Sequence, residues 1–262
     1  MTATAEPAVL VRRLPGHVAL VTLNRPQVRN AVNAEVALGL DAAVAELEAD
    51  DDIRAVVLTG AGPDFCAGAD LKAVAQTGDG EALRTARGGF AGFVEAPRAK
   101  PWIAAVNGRA LAGGCEIMLA CDLIVASDNS QFGLPEVQRG LLAVAGGITR
   151  LPRVLPPLIA LELILTGERL DVQRAAHYGM VNRVVPVADV VEEALRLARA
   201  IAANAPISVR EGLRIAKTAI QPAAEMLRAV NAQGWDLINA TEDLHEGVRA
   251  FAEKREPRWS GR

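Results

Sequence analysis

The chain has 262 residues, of which 51% are hydrophobic, and its formal net charge is −3 at pH 7. The hydrophobic fraction excludes an intrinsically disordered chain and is sufficient for the core of one large domain, with or without an appendage. The small negative charge gives no general attraction to nucleic acid or to an anionic membrane, so we expect neither as a partner.

The sequence contains no segment that predicts membrane insertion or secretion. The longest apolar stretches, such as residues 102–106 and 117–121, are far shorter than the ~20 residues of a membrane-spanning helix. Residues 1–7 contain no basic cluster followed by an apolar run, which is the pattern of a secretory signal. We therefore expect a soluble, cytoplasmic protein.

The cysteines and histidines are not arranged as metal ligands. Cys66, Cys115 and Cys121 form no C-x-x-C pair and lie in apolar or glycine-rich segments, where a buried thiol in a reducing compartment is the ordinary interpretation. The histidines are dispersed along the chain without a nearby set of ligands. We expect no metal site.

Strands and helices alternate through the first half of the chain. Apolar runs bounded by turn residues predict a hairpin from residues 9–13 and 18–23, then strands at 53–58, 102–106 and 121–126. Apolar residues at helical spacing follow Asn33, a plausible N-cap, and predict a helix there. Further helices are predicted at 81–95 and 114–120. This alternation is typical of an α/β fold.

The second half of the chain has a different character. After Gly146, the apolar spacing is almost entirely helical, with predicted helices at residues 158–165, 172–177, 189–204, 207–220, 223–239 and 242–254. This change predicts an α/β core followed by a helical C-terminal region, and we divide the chain into residues 1–198 and 199–262. Several of these helices carry more apolar surface than an isolated monomer needs, so we expect an oligomer.

Two glycine-rich junctions follow predicted strands. In the first, residues 60–72, Gly60 and Gly62 form a G-x-G, but the third glycine of a dinucleotide fingerprint is missing and Pro63 occupies the expected start of the helix. In the second, Gly113 and Gly114 precede a helix, where bare amide N–H groups and the helix dipole favour an oxyanion. Close helix packing is the more ordinary reason for a glycine pair taken alone.

Two glutamates stand near the second junction. Glu116 lies in the first turn of an otherwise apolar helix, where a charge is costly unless it has a partner. Glu136 follows a short strand and a turn. Each acid taken alone could equally be an exposed surface residue.

Taken together, the motifs resemble the crotonase, or enoyl-CoA hydratase/isomerase, superfamily. The matching blocks occur in family order and span nearly the whole chain: Leu23-Asn24-Arg25-Pro26, Asn30-Ala31, Phe65-Cys66-Ala67-Gly68-Ala69-Asp70-Leu71-Lys72, Ala104-Ala105-Val106-Asn107-Gly108, Gly113-Gly114-Cys115-Glu116, Phe132-Gly133-Leu134-Pro135-Glu136 and Leu165-Thr166-Gly167. The resemblance implies a spiral of repeated ββα units followed by a helical region for oligomerisation. It also implies a homotrimer or a dimer of trimers.

The resemblance also implies an activity. The backbone amides of Ala69 and Gly113 would form an oxyanion hole, while Glu116 and Glu136 would hold the catalytic water and supply a proton. The implied enzyme is an enoyl-CoA hydratase of fatty-acid β-oxidation or related acyl metabolism, which adds water reversibly to trans-2-enoyl-CoA. The substrate is carried as a coenzyme A thioester, so no separate cofactor is expected.

The resemblance places coenzyme A along the first glycine-rich block and near basic side chains. The candidate contacts are Arg29, Ala67, Asp70, Lys72 and Lys254, and Lys254 could reach the site from a neighbouring subunit. Each basic side chain could instead be an ordinary surface charge. The segment 74–95 is expected to line the acyl pocket.

Some residues depart from the common hydratase pattern. Val144 replaces a glycine of the loop after Glu136, and a β-branched residue restricts the backbone there. Residues 150–157 and 251–259 look more like the carnitinyl-CoA dehydratase branch. The alternatives are therefore a dehydratase of that kind, a double-bond isomerase or a non-catalytic acyl-CoA binder. A serine or cysteine hydrolase is disfavoured because there is no G-x-S-x-G motif.

Overall fold

The computed structural model describes residues 6–77, 80–220, 224–258 and 260. The strands in this part of the chain are β1 (Val9–Leu14), β2 (Val18–Leu23), β3 (Ala55–Gly60), β4 (Arg84–Thr85), β5 (Gly89–Phe90), β6 (Trp102–Val106), β7 (Arg109–Leu111), β8 (Leu123–Ser127), β9 (Gln131–Gly133), β10 (Arg169–Asp171) and β11 (Arg183–Val185). The α-helices are α1 (Ala34–Ala49), α2 (Leu71–Thr77), α3 (Gly113–Leu119), α4 (Gly147–Val154), α5 (Pro157–Thr166), α6 (Val172–His177), α7 (Val190–Ala202), α8 (Pro206–Ile220), α9 (Ala224–Asn239) and α10 (Glu242–Glu253).

The main sheet has the strand order β1-β2-β3-β6-β8-β11. The predicted hairpin is present, because β1 pairs antiparallel with β2, and all other neighbours in this sheet are parallel. The central strands read as continuous apolar runs because a parallel sheet is covered on both faces. Alternate residues along β2, β3 and β6 enter two separate apolar clusters.

Helices cover the two faces of this sheet. On one face, α7 packs against the sheet through buried residues four positions apart, namely Val190, Ala194, Ala198 and Ala202. On the other face, α1 buries its own stripe, which includes Leu40 and Leu47. The predicted cap of α1 is confirmed, since the Asn33 side chain accepts a hydrogen bond from the Val36 N–H.

The order long strand, short strand, helix occurs twice in succession along the chain. β6, β7 and α3 follow one another, and then β8, β9, the 3-10 turn Pro135–Arg139 and α4. The long strands β6 and β8 pair in parallel in the main sheet, while β7 and β9 pair in parallel in a second sheet with the order β10-β9-β7. This stacking of successive turns is the ββα spiral that the motifs predicted, and it places α3 beside α4.

The predicted helix at 81–95 is wrong. This segment contains a short 3-10 turn, Glu81–Leu83, and the antiparallel pair β4–β5. Gly89 and Gly92 have positive φ angles of 62° and 66°, and a Cβ on Gly88 would lie 2.1 Å from the carbonyl carbon of Gly92. The chain therefore doubles back on itself, which a continuous helix cannot do.

The second half is less uniformly helical than predicted, because β10 and β11 lie within it. The proposed boundary at residue 198 falls inside α7, which packs on the main sheet, so the division into 1–198 and 199–262 stays a prediction. In the described part of the chain, no helix is long and apolar enough to cross a membrane. The same residues contain no cluster of three or more His, Cys, Asp or Glu that could hold a metal ion.

Candidate active site

A buried asparagine shapes the first glycine-rich segment. Asn30 is fully buried, and its side-chain oxygen accepts a hydrogen bond of 2.9 Å from the Arg25 N–H. Its amide nitrogen donates to the carbonyls of Ala61 and Asp64, at 2.9 and 2.8 Å. A polar group buried to this degree is expected to be fully hydrogen-bonded. Asn30 thus fixes the loop that follows β3.

The next residues are held by alternate backbone hydrogen bonds. The Ala67 N–H donates to the Arg29 carbonyl at 3.0 Å, the Val32 N–H to the Gly68 carbonyl at 2.8 Å, and the Asp70 N–H to the Val32 carbonyl at 2.9 Å. Between these bonds, the N–H of Ala69 has no hydrogen-bond acceptor among the described residues.

Gly68 brings Ala69 next to the start of α3. Gly68 has a φ of +91°, and a Cβ at this position would lie 2.9 Å from the backbone nitrogen of Gly113. Gly113 is the first residue of α3, and its N–H likewise has no acceptor among the described residues. The residue before it, Ala112, has a positive φ of 51°, which is unusual for a residue with a Cβ. Strain of this kind is common at functional sites.

Close packing, the other explanation for the glycine pair, also applies. A Cβ on Gly114 would lie 2.1 Å from the Cys66 carbonyl oxygen, and one on Gly113 would lie 2.5 Å from the Phe90 ring. The two explanations are compatible, because the tight packing is what brings the unpaired amides of Ala69 and Gly113 together.

Glu116 is buried in the first turn of α3, with 3% of its surface exposed. Its Oε1 accepts a 2.8 Å hydrogen bond from the Gly147 N–H at the start of α4. Gly146, before it, has a φ of +107°, which favours glycine. Sequence reasoning missed this partner, although the signal was the same as at Gly113: two adjacent glycines at the start of a helix.

Arg150 supports the same loop from within α4. Its guanidinium donates to the Ala145 carbonyl at 2.9 Å and to the Val94 carbonyl at 2.7 Å. The side chain therefore joins the loop that bonds Glu116 to the segment after β5. Its role was not anticipated from the sequence, where a single arginine in a helix carries no specific signal.

Glu136 approaches from the 3-10 turn Pro135–Arg139 that follows β9. Glu136 as a whole is half-buried, but its Oε2 atom is buried and has no hydrogen-bond partner among the described residues. A buried polar atom of this kind usually serves a ligand, a water or a catalytic step.

Burial raises the pKa of both carboxyl groups above the ordinary value for glutamate. For Glu136, the charge of Glu116 raises the pKa further, and Arg139 lowers it. For Glu116, the Gly147 N–H and the charge of Arg150 lower it. Because the charge of Glu116 acts on Glu136, the two groups titrate as a pair.

The cysteines near the site are not nucleophiles. Cys66 and Cys115 are fully buried, and burial raises the pKa of Cys66 to about 12 and that of Cys115 still higher. Both are therefore neutral thiols at physiological pH, whereas a catalytic cysteine must be a thiolate. This disfavours a cysteine hydrolase.

The candidate coenzyme A contacts lie in two places. Arg29 and Lys72 are both exposed. Lys72 ends the first glycine-rich segment, and the Arg29 carbonyl accepts a hydrogen bond from the Ala67 N–H within that segment. Lys254 is exposed at the end of α10. Among the described residues, no contact links Lys254 to Arg29 or Lys72.

Asp70 already has partners within this segment. Its carboxylate forms an ion pair with Arg25 at 3.0 Å and accepts a hydrogen bond from the Ala73 N–H. These contacts hold the start of α2, and binding of coenzyme A at Asp70 stays a prediction. Val144 is half-buried between buried Ala143 and Ala145. Residues 78 and 79 of the expected acyl-pocket segment lie outside the described residues.

The assembled site combines two buried carboxyl groups with two backbone amides that have no acceptor in the described part of the chain. Amides in this arrangement stabilise negative charge that develops on a carbonyl oxygen, and a carboxyl pair with raised pKa can move protons near neutral pH. The fold and site therefore define an enzyme of acid–base chemistry on a carbonyl compound.

Comparison with known proteins gives the family. The chain matches the enoyl-CoA hydratase/isomerase family over residues 13–262. It is 39% identical to a carnitinyl-CoA dehydratase of Proteus mirabilis (strain HI4320) over 253 residues, which cover 94% of this chain and 96% of the relative. A carnitinyl-CoA hydratase structure from Mycobacterium avium has a TM-score of 0.93 and 46% identity, covering 98% of this chain and 100% of that one. An enoyl-CoA hydratase structure from Mycobacterium tuberculosis H37Rv has a TM-score of 0.79 and 44% identity, with the same coverage.

The chain therefore belongs to the enoyl-CoA hydratase/isomerase family, and its architecture is the crotonase fold. Both expectations drawn from the motifs are confirmed. Membership is consistent with an acyl-CoA substrate and supports hydro-lyase chemistry.

Proposed function

We propose that this protein catalyses the reversible addition of water to trans-2-enoyl-CoA, giving 3-hydroxyacyl-CoA, in fatty-acid β-oxidation or related acyl-CoA metabolism. The observation that carries the proposal is the unpartnered Oε2 of Glu136 in a site shared with the buried carboxyl of Glu116. An isomerase needs one group that moves a proton. Hydration needs a base that takes a proton from water and an acid that gives a proton to the α-carbon.

The surroundings of the two carboxyls favour a division of roles. Glu116 has a hydrogen-bond donor in the Gly147 N–H and a nearby positive charge in Arg150, both of which favour the ionised form. Glu136 is repelled by Glu116 and has no donor at Oε2, so it takes up the proton that the pair shares. Glu116 is then the base for water, and Glu136 is the acid.

In the hydration step, the water oxygen bonds to the β-carbon while Glu116 accepts a water proton. The electron pair of the double bond shifts to the thioester oxygen, and the amides of Ala69 and Gly113 stabilise the resulting enolate without reorganising. Glu136 then gives its proton to the α-carbon, which restores the carbonyl. Losing one such amide donor typically costs ~100 to 1,000-fold in turnover.

The proposal is tested by following loss of enoyl absorbance with trans-2-enoyl-CoA substrates of several chain lengths. We expect turnover by the purified protein and none above background by the double variant Glu116→Gln/Glu136→Gln, which keeps the shape of both side chains. Tight acyl-CoA binding with no turnover by the unaltered protein would support a non-catalytic binder instead.

A second candidate is dehydration of carnitinyl-CoA, which is favoured by the names of relatives at 39% and 46% identity. The same two carboxyls and amides would run the reaction in the direction of water loss, because each step is reversible. Carnitinyl-CoA is included in the substrate panel and followed by gain of enoyl absorbance, because its dehydration forms the double bond, and this separates the two candidates. The higher kcat/KM identifies the substrate, and a 3-enoyl-CoA in the same panel tests double-bond isomerisation.

We also propose that the protein assembles as a homotrimer or a dimer of trimers. In support, α5 exposes Leu158, Leu161 and Leu165, at 79%, 47% and 70% of their surfaces. A helix face of this kind is typical of a subunit interface. Size-exclusion chromatography with light scattering measures the mass, and a stable monomer at assay concentration contradicts the proposal.

Coenzyme A binding by Arg29, Ala67, Asp70, Lys72 and Lys254 is part of the same proposal. Replacing Arg29, Lys72 or Lys254 with Gln should raise KM while leaving kcat nearly unchanged, because contacts remote from the reacting carbons bind substrate and transition state alike. An unchanged KM in all three variants would place the phosphates elsewhere.

A further inference from the structure

The C-terminal helix α10 packs directly against the turn that carries Glu136. A Cβ on Gly247 of α10 would lie 2.1 Å from the carbonyl oxygen of Arg139, the last residue of the turn. In the opposite direction, a Cβ on Gly140 would lie 2.6 Å from the carbonyl oxygen of Asp243. Glycine on each side therefore allows the two backbones to meet without intervening side chains.

Side chains extend the same contact. The guanidinium of Arg139 lies 5.0 Å from the ring centroid of Phe251, in a cation–π contact one turn further along α10. Within the turn, Arg139 also donates to the Pro135 carbonyl. The residues on both sides of Glu136 in the turn are thus linked to each other and to α10.

α10 is itself held firmly at this point. Glu246, next to Gly247, is 8% exposed and accepts hydrogen bonds from the side chains of Arg249 and Arg255 and from the Arg258 N–H. Such a network of charge-assisted bonds fixes the helix relative to the chain that follows it. A helix fixed in this way can fix a neighbouring turn.

Glu136 needs such support more than Glu116 does. Glu116 has a hydrogen-bond partner that orients its carboxyl, whereas Oε2 of Glu136 has none among the described residues. The position of the Glu136 carboxyl therefore depends on the backbone that carries it. A displacement of ~1 Å in a reacting group is sufficient to lower turnover ~100-fold.

We propose that α10 is a positioning element for Glu136, acting through the backbone contact of Gly247 with Arg139 and the contact of Phe251 with the Arg139 side chain. This inference rests on the proposed function, because it assigns Glu136 a place in the reaction. It extends that function to residues more than one hundred positions away in the chain that touch no reacting atom.

The test is Gly247→Ala, compared with the matched control Gly212→Ala in α8, where a Cβ would meet nothing within 4 Å among the described residues. Turnover of enoyl-CoA, KM and thermal unfolding are measured for both. We expect Gly247→Ala to lower kcat by ~10 to 100-fold with little change in KM. Gly212→Ala should leave kcat unchanged.

The decisive measurement repeats Gly247→Ala in the Glu136→Gln background. If α10 acts by positioning Glu136, the second substitution has no further effect on the residual kcat, because the group being positioned is already lost. A purely structural effect of Gly247→Ala would lower the residual kcat of both backgrounds by the same factor, and that result would overturn the inference. A folded Gly247→Ala variant with normal kcat would also overturn it.

Phe251→Leu provides a milder variant if Gly247→Ala does not fold. It removes the cation–π contact and retains an apolar side chain, so we expect a smaller fall in kcat that again disappears in the Glu136→Gln background. An equal effect in both backgrounds rejects the inference. If Glu136→Gln alone hydrates enoyl-CoA normally, the proposed function fails first, and the two failures are distinguished.

Discussion

Glu116 and Glu136 reach the same site from two regions that hold their side chains in different ways. Glu116 lies in the first turn of α3, between the stacked ββα units, and its carboxyl is bonded to the Gly147 N–H with Arg150 nearby. Glu136 lies on a short turn backed by α10, and one of its oxygens has no partner among the described residues. The first is held at its charged end, and the second is held by its backbone.

This difference indicates how one site can hold a base and an acid of the same residue type. Hydrogen-bond donors directed at a carboxyl favour its ionised form, whereas burial beside another carboxylate favours the protonated form. Two glutamates with identical intrinsic chemistry are therefore assigned different protonation states by their neighbours.

The largest effect is expected on replacing either carboxyl. Glu116→Gln and Glu136→Gln should each lower kcat by at least ~100-fold, because each removes a group that moves a proton while keeping its size. Both are measured by loss of enoyl absorbance, with thermal unfolding as the folding control. Near-normal hydration by either single variant would contradict the assignment of two roles to two carboxyls.

A second large effect is expected on stability, from the loop that carries Ala69. Asn30→Ala should leave several buried groups without partners, at about 1–3 kcal/mol each. For a chain of this size, each kcal/mol lowers Tm by roughly 2–4 °C. The control is Asn204→Ala, since Asn204 is exposed and its side chain bonds only to the Ala200 carbonyl among the described residues. Equal Tm values for the two variants would mean that Asn30 does not fix the loop.

The charge beside Glu116 should set the acidic side of the pH profile. Arg150→Gln removes a positive charge that lowers the pKa of Glu116, so the pKa rises further. Because Glu116 must be ionised to accept a proton, activity should be lost at a higher pH as the solution is acidified. If the acidic limb moves up by one pH unit, activity at a fixed pH below that limb falls about tenfold.

Arg150→Lys separates charge from geometry in this experiment. Lysine keeps the positive charge but cannot form both bonds to Ala145 and Val94. We expect its acidic limb to stay near that of the unaltered protein while kcat falls. If Arg150→Gln leaves the acidic limb in place, the charge of Arg150 does not set the protonation of Glu116.

Local sequence signals predicted the region around Glu116 better than the region around Glu136. The hairpin, the cap of α1 at Asn33 and the start of α3 were predictable because turn residues, capping and glycine pairs act over a few residues. The same signal before α4 was present at Gly146 and Gly147, but without the fold its amide could not be assigned to Glu116. Spacing wrongly predicted a helix at 81–95, where glycines with positive φ reverse the chain.

The surroundings of Glu136 were beyond any local pattern. Its contacts with α10 join segments distant in the sequence, and Gly247 in the middle of a helix gave no indication of what it touches. Whether a buried polar atom finds a hydrogen-bond partner, and how strongly two acids repel each other, likewise depend on three-dimensional distances. The family resemblance named the residues of the site, whereas their different protonation depends on contacts that only the folded chain provides.

The smallest shift of the pH profile should come from the charge near Glu136. Arg139 lowers the pKa of Glu136, so Arg139→Gln should raise it further above the ordinary glutamate value. Glu136 must be protonated to deliver its proton, and a higher pKa keeps it protonated to higher pH. The basic limb of the pH profile should therefore move to higher pH, by less than the acidic limb moves in Arg150→Gln, because Arg139 is partly exposed to solvent.

Arg139→Lys, which retains the charge, should leave the basic limb nearly unchanged. An acidic limb that moves to higher pH in Arg139→Gln, with the basic limb unmoved, would mean that the two roles are exchanged. In that case Glu136 would be the base and Glu116 the acid, even though the carboxyl of Glu116 accepts a hydrogen bond from the Gly147 N–H. The two arginine variants together thus test whether neighbouring charge decides which glutamate accepts the water proton.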